Sequence, residues 1–148
     1  MTREEFIEIL KKEGYSYKIE GSKIVVTYRG TVHLNFLTSL PPDVEFKNGR
    51  DVDLHSLTSI SHGVAFRNGG YVYLSALTSL SPGVEFRNRG YVYLSALTSL
   101  PPGVGLKNGG GVYLKSLTGD WFSGWSGNIE GISSNMLLNM MIKQGVFI

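Results

Sequence analysis

The chain of 148 residues contains no cysteine, which excludes a disulfide framework, a thiol nucleophile and a cysteine-ligated zinc site. Charged residues make up only 18% of the sequence and the formal net charge is +2, so any basic surface for nucleic acid has to be local. No apolar run approaches the length of a membrane span, and the first residues lack the pattern of a signal peptide. We therefore expect a cytoplasmic protein with no membrane partner.

What the chain does contain is one segment repeated five times. The pattern Val, one residue, Leu, two residues, Leu-Thr recurs every 20 residues without insertion. Its copies open at Val32, Val52, Val72, Val92 and Val112. A segment of this length buries its apolar side chains only by stacking on its neighbours. The sequence therefore predicts an all-β solenoid, similar to a β-helix, with 20 residues per coil and about five full coils.

Residues of one coil alternate between an inner and an outer side, as in a β-strand. The predicted inward set is Val84, Phe86, Asn88, Gly90, Val92 and Leu94. The predicted outward set is Glu85, Arg87, Arg89, Tyr91 and Tyr93. We expect each coil to consist of a strand, a glycine corner, a second strand and a tight turn.

The whole chain, residues 1–148, is predicted to form a single domain with three parts. Residues 1–31 form an N-terminal cap, in which a helix over residues 3–13 follows the capping box of Thr2 and Glu5 and precedes a hairpin. Residues 32–118 form the repeat coils, and residues 119–148 form a helical C-terminal cap.

An asparagine and a threonine recur at fixed places in the coil. The asparagines are Asn48, Asn68, Asn88, Asn108 and Asn128. The threonines are Thr38, Thr58, Thr78, Thr98 and Thr118. We expect the asparagines to form an inward ladder in which each amide bonds the next amide and the corner backbone, and the threonines to form a hydroxyl stack at a turn. Both sets are predicted to be structural.

The repeat resembles a family of known arrays. The segment Leu77-Thr-Ser-Leu-Ser-Pro-Gly-Val-Glu-Phe-Arg-Asn-Arg-Gly-Tyr-Val-Tyr-Leu-Ser is similar to the 20-residue LTSLP-type solenoid repeats of bacteriophage and prophage proteins, which are distantly like leucine-rich repeats. The resemblance covers residue 24 to about residue 132 and implies an accessory protein that binds and inhibits a host protein. Because Asn88 precedes its Val92-Tyr-Leu94 strand, a straight β-helix is expected here in place of a curved horseshoe.

One outward column of the coils is basic. It contains Lys47, Arg67, Arg87 and Lys107, and Glu45 and Glu85 flank it two residues earlier. Cations repeated at strand spacing are suited to contact phosphates, so this column is a candidate nucleic-acid site. The alternative is a solvated face on which the neighbouring glutamates relieve repulsion between like charges.

A second outward region is aromatic. It contains Tyr71, Tyr73, Tyr91, Tyr93 and Tyr113, and the column of Tyr73 continues upward through Asp53 and His33. Stacked tyrosines stabilise a β-sheet by cross-strand contact. A flat aromatic area is also typical of protein recognition surfaces, so both interpretations stay open.

The third candidate surface lies at the C-terminal end, which is mostly apolar. Its predicted interface residues are Trp121, Phe122, Trp125, Met136, Leu137, Met140, Met141 and Phe147. A helix that is apolar around most of its circumference has to be buried on more than one side. Homodimerisation is the leading interpretation, a surface for a foreign protein is the second, and burial within the chain itself is the third.

No catalytic residue, metal or cofactor is predicted. The histidines His33, His55 and His62 occupy different columns, and no His-x-x-x-His pattern or acid cluster accompanies them. Asp51, Asp53 and His55 alternate outward along one strand, but a carboxylate and histidine on a convex surface lack an enclosing pocket. The sequence therefore favours a non-catalytic protein-binding module. The alternatives are a nucleic-acid-binding protein and a purely structural assembly subunit.

Overall fold

The computed structural model describes residues 1–101 and 103–116. Over these residues the chain is a β-solenoid of about four turns, with mostly parallel strands and one short helix. The elements are α1 (Arg3–Glu13), β1 (Tyr17–Glu20), β2 (Lys23–Val26), β3 (Val32–His33), β4 (Val44–Phe46), β5 (Val52–Asp53), β6 (Ala65–Phe66), β7 (Val72–Tyr73), β8 (Glu85–Phe86), β9 (Val92–Tyr93), β10 (Gly105–Leu106) and β11 (Val112–Tyr113). The predicted solenoid class is confirmed.

The strands form two sheets that run along the solenoid. The first sheet has the order β1-β2-β4-β6-β8-β10, and the second has the order β11-β9-β7-β5-β3. Only the β1–β2 hairpin is antiparallel among these pairs, and every repeat strand pairs in parallel with its copy 20 residues away, as Phe66 does with Phe86. The insertion-free period thus fixes the register, as the sequence predicts.

The N-terminal helix and hairpin follow their local sequence signals. The hydroxyl of Thr2 accepts a hydrogen bond from the backbone N–H of Glu5 at 3.1 Å, and the Glu5 carboxylate accepts one from the N–H of Thr2 at 3.3 Å. Gly14 ends the helix with a φ of 78°, a left-handed conformation that glycine adopts at little cost. Phe6 and Leu10 are fully buried in the common core, so the predicted helix and its apolar face are confirmed.

Inward side chains of both sheets fill one core. Phe46, Phe66 and Phe86 are fully buried and stacked, with centroid separations of 5.3 and 5.1 Å and ring planes 4° apart. Leucines from the second strand and the turn, such as Leu74 and Leu77, are also fully buried. The core residues are apolar in every coil, with Leu106 in the place of Phe86, and the outer side chains vary more in chemistry.

The inward asparagines stabilise the corner between the two sheets. The amide nitrogen of Asn68 donates to the carbonyl of Tyr71 at 3.0 Å and to the carbonyl of Arg50, in the preceding coil, at 2.9 Å. The Oδ1 atoms of Asn48, Asn68, Asn88 and Asn108 are buried without a hydrogen-bond partner. The predicted bonding to the corner backbone is confirmed, whereas the predicted amide-to-amide bond is wrong because the backbone carbonyls already occupy the amide hydrogens. Asn128 lies outside the described residues.

The repeated threonines also bond to the main chain. The hydroxyl of Thr58 donates to the backbone carbonyl of Thr38 at 3.2 Å, and the backbone N–H of Thr58 donates to the same oxygen at 3.1 Å. This contact joins one coil to the next through the backbone carbonyl of Thr38 at the predicted turn. Thr118 lies outside the described residues.

The outermost strand of the second sheet is closed by a side chain. β3 is a terminal strand of that sheet, so one of its edges has no neighbouring strand among residues 1–101 and 103–116. The hydroxyl of Tyr15 accepts a hydrogen bond from the backbone N–H of His33 at 2.8 Å and donates to its carbonyl at 3.3 Å. One phenol therefore satisfies both backbone groups that the edge exposes.

Candidate functional site

The second sheet carries a column of stacked tyrosines on its outer side. Tyr73, Tyr93 and Tyr113 come from β7, β9 and β11, which are adjacent strands. The ring centroids of Tyr73 and Tyr93 are 5.0 Å apart, and those of Tyr93 and Tyr113 are 4.7 Å apart, with planes inclined by 8° and 4°. The parallel register thus places the three predicted residues in one aromatic stack.

Two further tyrosines lie beside this column. The rings of Tyr71 and Tyr91 stack at 5.5 Å, and they contact the first column through Tyr71–Tyr93 at 6.1 Å and Tyr91–Tyr113 at 5.7 Å. The five residues therefore form one continuous surface, which we call the tyrosine patch. Tyr71, Tyr91 and Tyr113 are its most exposed members, at 38–40% of their full surface.

Glycines at the corner make room for this patch. The ring of Tyr71 lies over Gly90 and the ring of Tyr91 lies over Gly110, so that a Cβ atom at either glycine would collide with the ring. The glycines and the tyrosines are thus one packing unit. Each tyrosine ring extends across the backbone of the next coil and is held there.

The stacking decides which parts of the rings face outward. Tyr93 has the ring of Tyr73 on one side and that of Tyr113 on the other, so both of its faces are covered and its edge and hydroxyl remain. Desolvation is the main cause that raises the pKa of Tyr73 and of Tyr93. At Tyr73 the next contribution comes from the carboxylate of Asp51, and at Tyr93 it comes from the phenol of Tyr113. The phenols are neutral at physiological pH and serve as hydrogen-bond donors and acceptors.

Both tyrosine columns end at an aspartate in the preceding coil. Asp53 pairs with Tyr73 in the sheet register, and the carboxylate of Asp51 accepts a hydrogen bond from the backbone N–H of Tyr71 at 2.8 Å. The two aspartates belong to the same strand region and lie on the same outer side as the rings. The patch therefore has an acidic end, which the sequence column of Tyr73 and Asp53 indicates.

Histidines from two coils approach the carboxylate of Asp53. The Nδ1 atom of His55 is 2.7 Å from Oδ1 of Asp53, and the Nδ1 atom of His33 is 4.0 Å from its Oδ2. The sequence places these histidines in different columns, but the structure brings both close to the carboxylate of Asp53. Within residues 1–101 and 103–116 no group of three histidine or acidic side chains is arranged to hold a metal ion.

The first sheet carries the predicted basic column, in which Lys47, Arg67 and Arg87 are paired with glutamates. Glu45 has only 6% of its side chain exposed and lies 2.9 Å from Nε of Arg67, 3.8 Å from Lys47 and 4.0 Å from Lys23. Sequence patterning places Glu45 outside, and it does not reveal this burial, because the long side chains of three neighbouring coils cover the carboxylate.

The next coil repeats the arrangement in a more exposed form. The carboxylate of Glu85 lies 3.5 Å from Arg67 and 3.4 Å from Arg87. Gly105 replaces a glutamate in the following coil, and Lys107 has no carboxylate within 4.0 Å among the described residues. The column is thus largely neutralised by its own sheet, and nucleic-acid binding by Lys47, Arg67, Arg87 and Lys107 stays an untested prediction.

The remaining predicted site lies outside the described residues, since Trp121, Phe122, Trp125, Met136, Leu137, Met140, Met141 and Phe147 all follow residue 116. In the described part of the chain, no helix has the length and apolar character needed to span a membrane. No protein-family model, curated protein or solved structure shows significant similarity to this chain.

Proposed function

We propose that this chain is a non-catalytic protein-binding solenoid and that the tyrosine patch is its recognition surface. The observation that carries the proposal is the convergence of five tyrosines from three coils on one outer face. Structural stacking explains contact between rings. It does not require a patch two columns wide whose outer members keep nearly two fifths of their surface in solvent.

The patch is preorganised for binding. Each ring is fixed by stacking, and Gly90 and Gly110 hold two of the rings against the next coil. A side chain that is already ordered loses little conformational entropy when a partner covers it. Tyrosine also combines apolar area with a hydroxyl that satisfies polar groups of the partner, which is why it dominates interface hot spots.

The patch is smaller than a complete protein–protein interface. With about 200 Å² for a tyrosine side chain, the three outermost rings expose on the order of 250 Å² together. A stable interface covers about 800 Å² on each partner. The patch therefore supplies the centre of an interface, and the predicted homodimer is proposed to form through residues 119–148 instead.

The wider proposal also covers the origin and the architecture that the sequence predicts. The resemblance to phage and prophage repeats favours a host protein, such as a defence protein, as the inhibited partner. The continuous register up to β11 supports a fifth coil. We propose that residues 1–31 close one end of the solenoid and that residues 119–148 close the other.

A photo-crosslinking experiment tests the recognition surface. The photoreactive residue p-benzoylphenylalanine is placed at position 91, within the patch, and separately at position 12 on the exposed side of α1. Illumination in a host-cell lysate is expected to yield a defined adduct from position 91 that is absent from position 12. The captured protein is then purified and its affinity for the intact chain is measured by calorimetry.

Variants decide whether the patch carries that affinity. The double substitution Tyr91→Ser and Tyr113→Ser is expected to weaken binding at least about tenfold, the loss typical of hot-spot residues. The matched control is Ile19→Ser with Phe36→Ser, which removes exposed apolar side chains outside the patch, at 46% and 54% exposure. Equal losses in both variants, or a loss only in the control, contradict the proposal.

A further inference from the structure

The tyrosine patch ends in a step at the level of β5. Asp53 precedes Tyr73 in one column and Asp51 precedes Tyr71 in the other. An aspartate side chain ends in a carboxylate at Cγ, the atom at which a tyrosine ring begins. The outer part of each ring therefore extends farther from the sheet than the aspartate beside it. The two columns therefore break in the same coil, side by side.

The two stacks of tyrosine rings end at this step. Tyr71 stacks on Tyr91, and Tyr73 stacks on Tyr93, in each case toward the following coil. Among the described residues neither ring has an aromatic neighbour in the preceding coil. An aromatic face carries the negative part of the ring quadrupole and attracts cations.

The two aspartates are oriented and incompletely used. Oδ1 of Asp51 accepts the backbone N–H of Tyr71 at 2.8 Å, and Oδ1 of Asp53 accepts the backbone N–H of His55 at 3.2 Å. Within the described part of the chain, Oδ2 of each aspartate accepts no hydrogen bond, and no lysine or arginine lies within 4.0 Å of either carboxylate. Each side chain is thus fixed through Oδ1; at Asp53 the Nδ1 atom of His55 also lies 2.7 Å from Oδ1, and the Nδ1 atom of His33 lies 4.0 Å from Oδ2.

We propose that this step binds an arginine side chain of the partner protein. The guanidinium plane stacks on the ring of Tyr71, which is 39% exposed, and donates hydrogen bonds to the Oδ2 atoms of Asp51 and Asp53. The inference rests on the proposed function of the tyrosine patch and specifies the chemistry of what docks there. Guanidinium fits better than ammonium because it is planar, stacks on rings and donates in two directions at once.

Short peptides test the assignment without knowledge of the partner. Acetyl-Gly-Arg-Gly-amide is titrated into the full chain and is compared with the citrulline peptide, which has the same shape without the charge. The readout is the NMR shift of the Tyr71 and Tyr73 ring protons, assigned with Tyr→Phe variants. We expect the arginine peptide to bind about tenfold more tightly than the citrulline peptide, as a combined cation–π contact and ion pair predict.

The matched variants separate local recognition from general attraction. Asp51→Asn with Asp53→Asn keeps the Oδ1 acceptors and removes both charges, and it is expected to abolish the preference for arginine. Glu4→Gln with Glu13→Gln removes the same charge from the exposed side of α1 and is expected to leave the preference unchanged. Circular dichroism of all variants verifies the fold.

The outcomes separate this inference from the proposed function. Equal binding of the two peptides overturns the arginine site, as does an equal loss in both double variants. If crosslinking from position 91 still captures its partner in that case, the recognition surface stands and only its ligand chemistry is wrong. A preference for arginine that disappears only in the aspartate variant supports the site, even if no lysate protein is captured.

Discussion

The two outer faces of the solenoid are built on the same repeat and behave differently. On the first sheet, Glu45 and Glu85 lie between cations of neighbouring coils, so the charges of that face are largely satisfied within it. On the second sheet the tyrosine patch exposes ring edges, hydroxyls and two incompletely bonded aspartates. The comparison shows that stacking multiplies whatever residue stands at an outer position: paired charges on one face and stacked rings on the other.

The largest expected effect comes from the core that both faces share. Phe66 is fully buried between Phe46 and Phe86, so Phe66→Ala leaves a cavity behind both sheets. We expect the free energy of unfolding, measured in urea, to fall by about 3–5 kcal/mol. Phe36→Ala removes a ring that is 54% exposed, and it serves as the control with a change below about 1 kcal/mol. Similar losses for the two variants would mean that Phe66 lacks the packing described.

A pair of adjacent glycines tests the aromatic face alone. A Cβ at Gly110 collides with the ring of Tyr91, whereas a Cβ at Gly111 meets that ring only at 4.0 Å. Gly110→Ala is expected to lower the free energy of unfolding by about 1–3 kcal/mol, as overpacking does, and to shift the NMR signals of the patch. Gly111→Ala should be neutral or slightly stabilising. A neutral Gly110→Ala variant would show that the ring is not held against that corner.

The charged face offers an internal comparison of a buried and an exposed carboxylate. The Glu45 side chain is 6% exposed and that of Glu85 is 40% exposed. Glu45→Gln should cost about 1–2 kcal/mol in urea unfolding, because the substitution removes the charge that pairs with Arg67 and Lys47 at a covered site. Glu85→Gln should cost less than about 0.5 kcal/mol, since exposed ion pairs contribute little and salt screens them. An equal cost for both would contradict the burial of Glu45.

The smallest effect concerns alkaline pH and belongs to the aromatic face. Desolvation raises the pKa of Tyr73 and Tyr93 above the ordinary value of 10.0. Their contribution to stability is therefore present below pH 10.0 and is lost as the pH rises further, because the unfolded chain releases these protons first. Ultraviolet titration of phenolate should show two late-titrating tyrosines that disappear in Tyr73→Phe with Tyr93→Phe. Titration of all tyrosines together would contradict the desolvation.

The sequence predicts the architecture well because the 20-residue repeat period determines most of it. Register, inner and outer sides, the helix over residues 3–13 and the column of tyrosines all follow from position in the repeat. Side-chain hydrogen bonds do not follow, as the asparagines show by bonding carbonyls of the backbone in place of one another. The burial of Glu45 and the approach of two histidines to Asp53 depend on side-chain length and direction across coils, which alignment of repeats does not encode.

The single hydroxyl of Tyr15 has a consequence for assembly. A stacked β-structure is a template for its own extension, and an open first rung would recruit further chains in the manner of a fibril. By occupying both backbone groups of His33, the phenol makes the pairing of another chain's strand along β3 unfavourable.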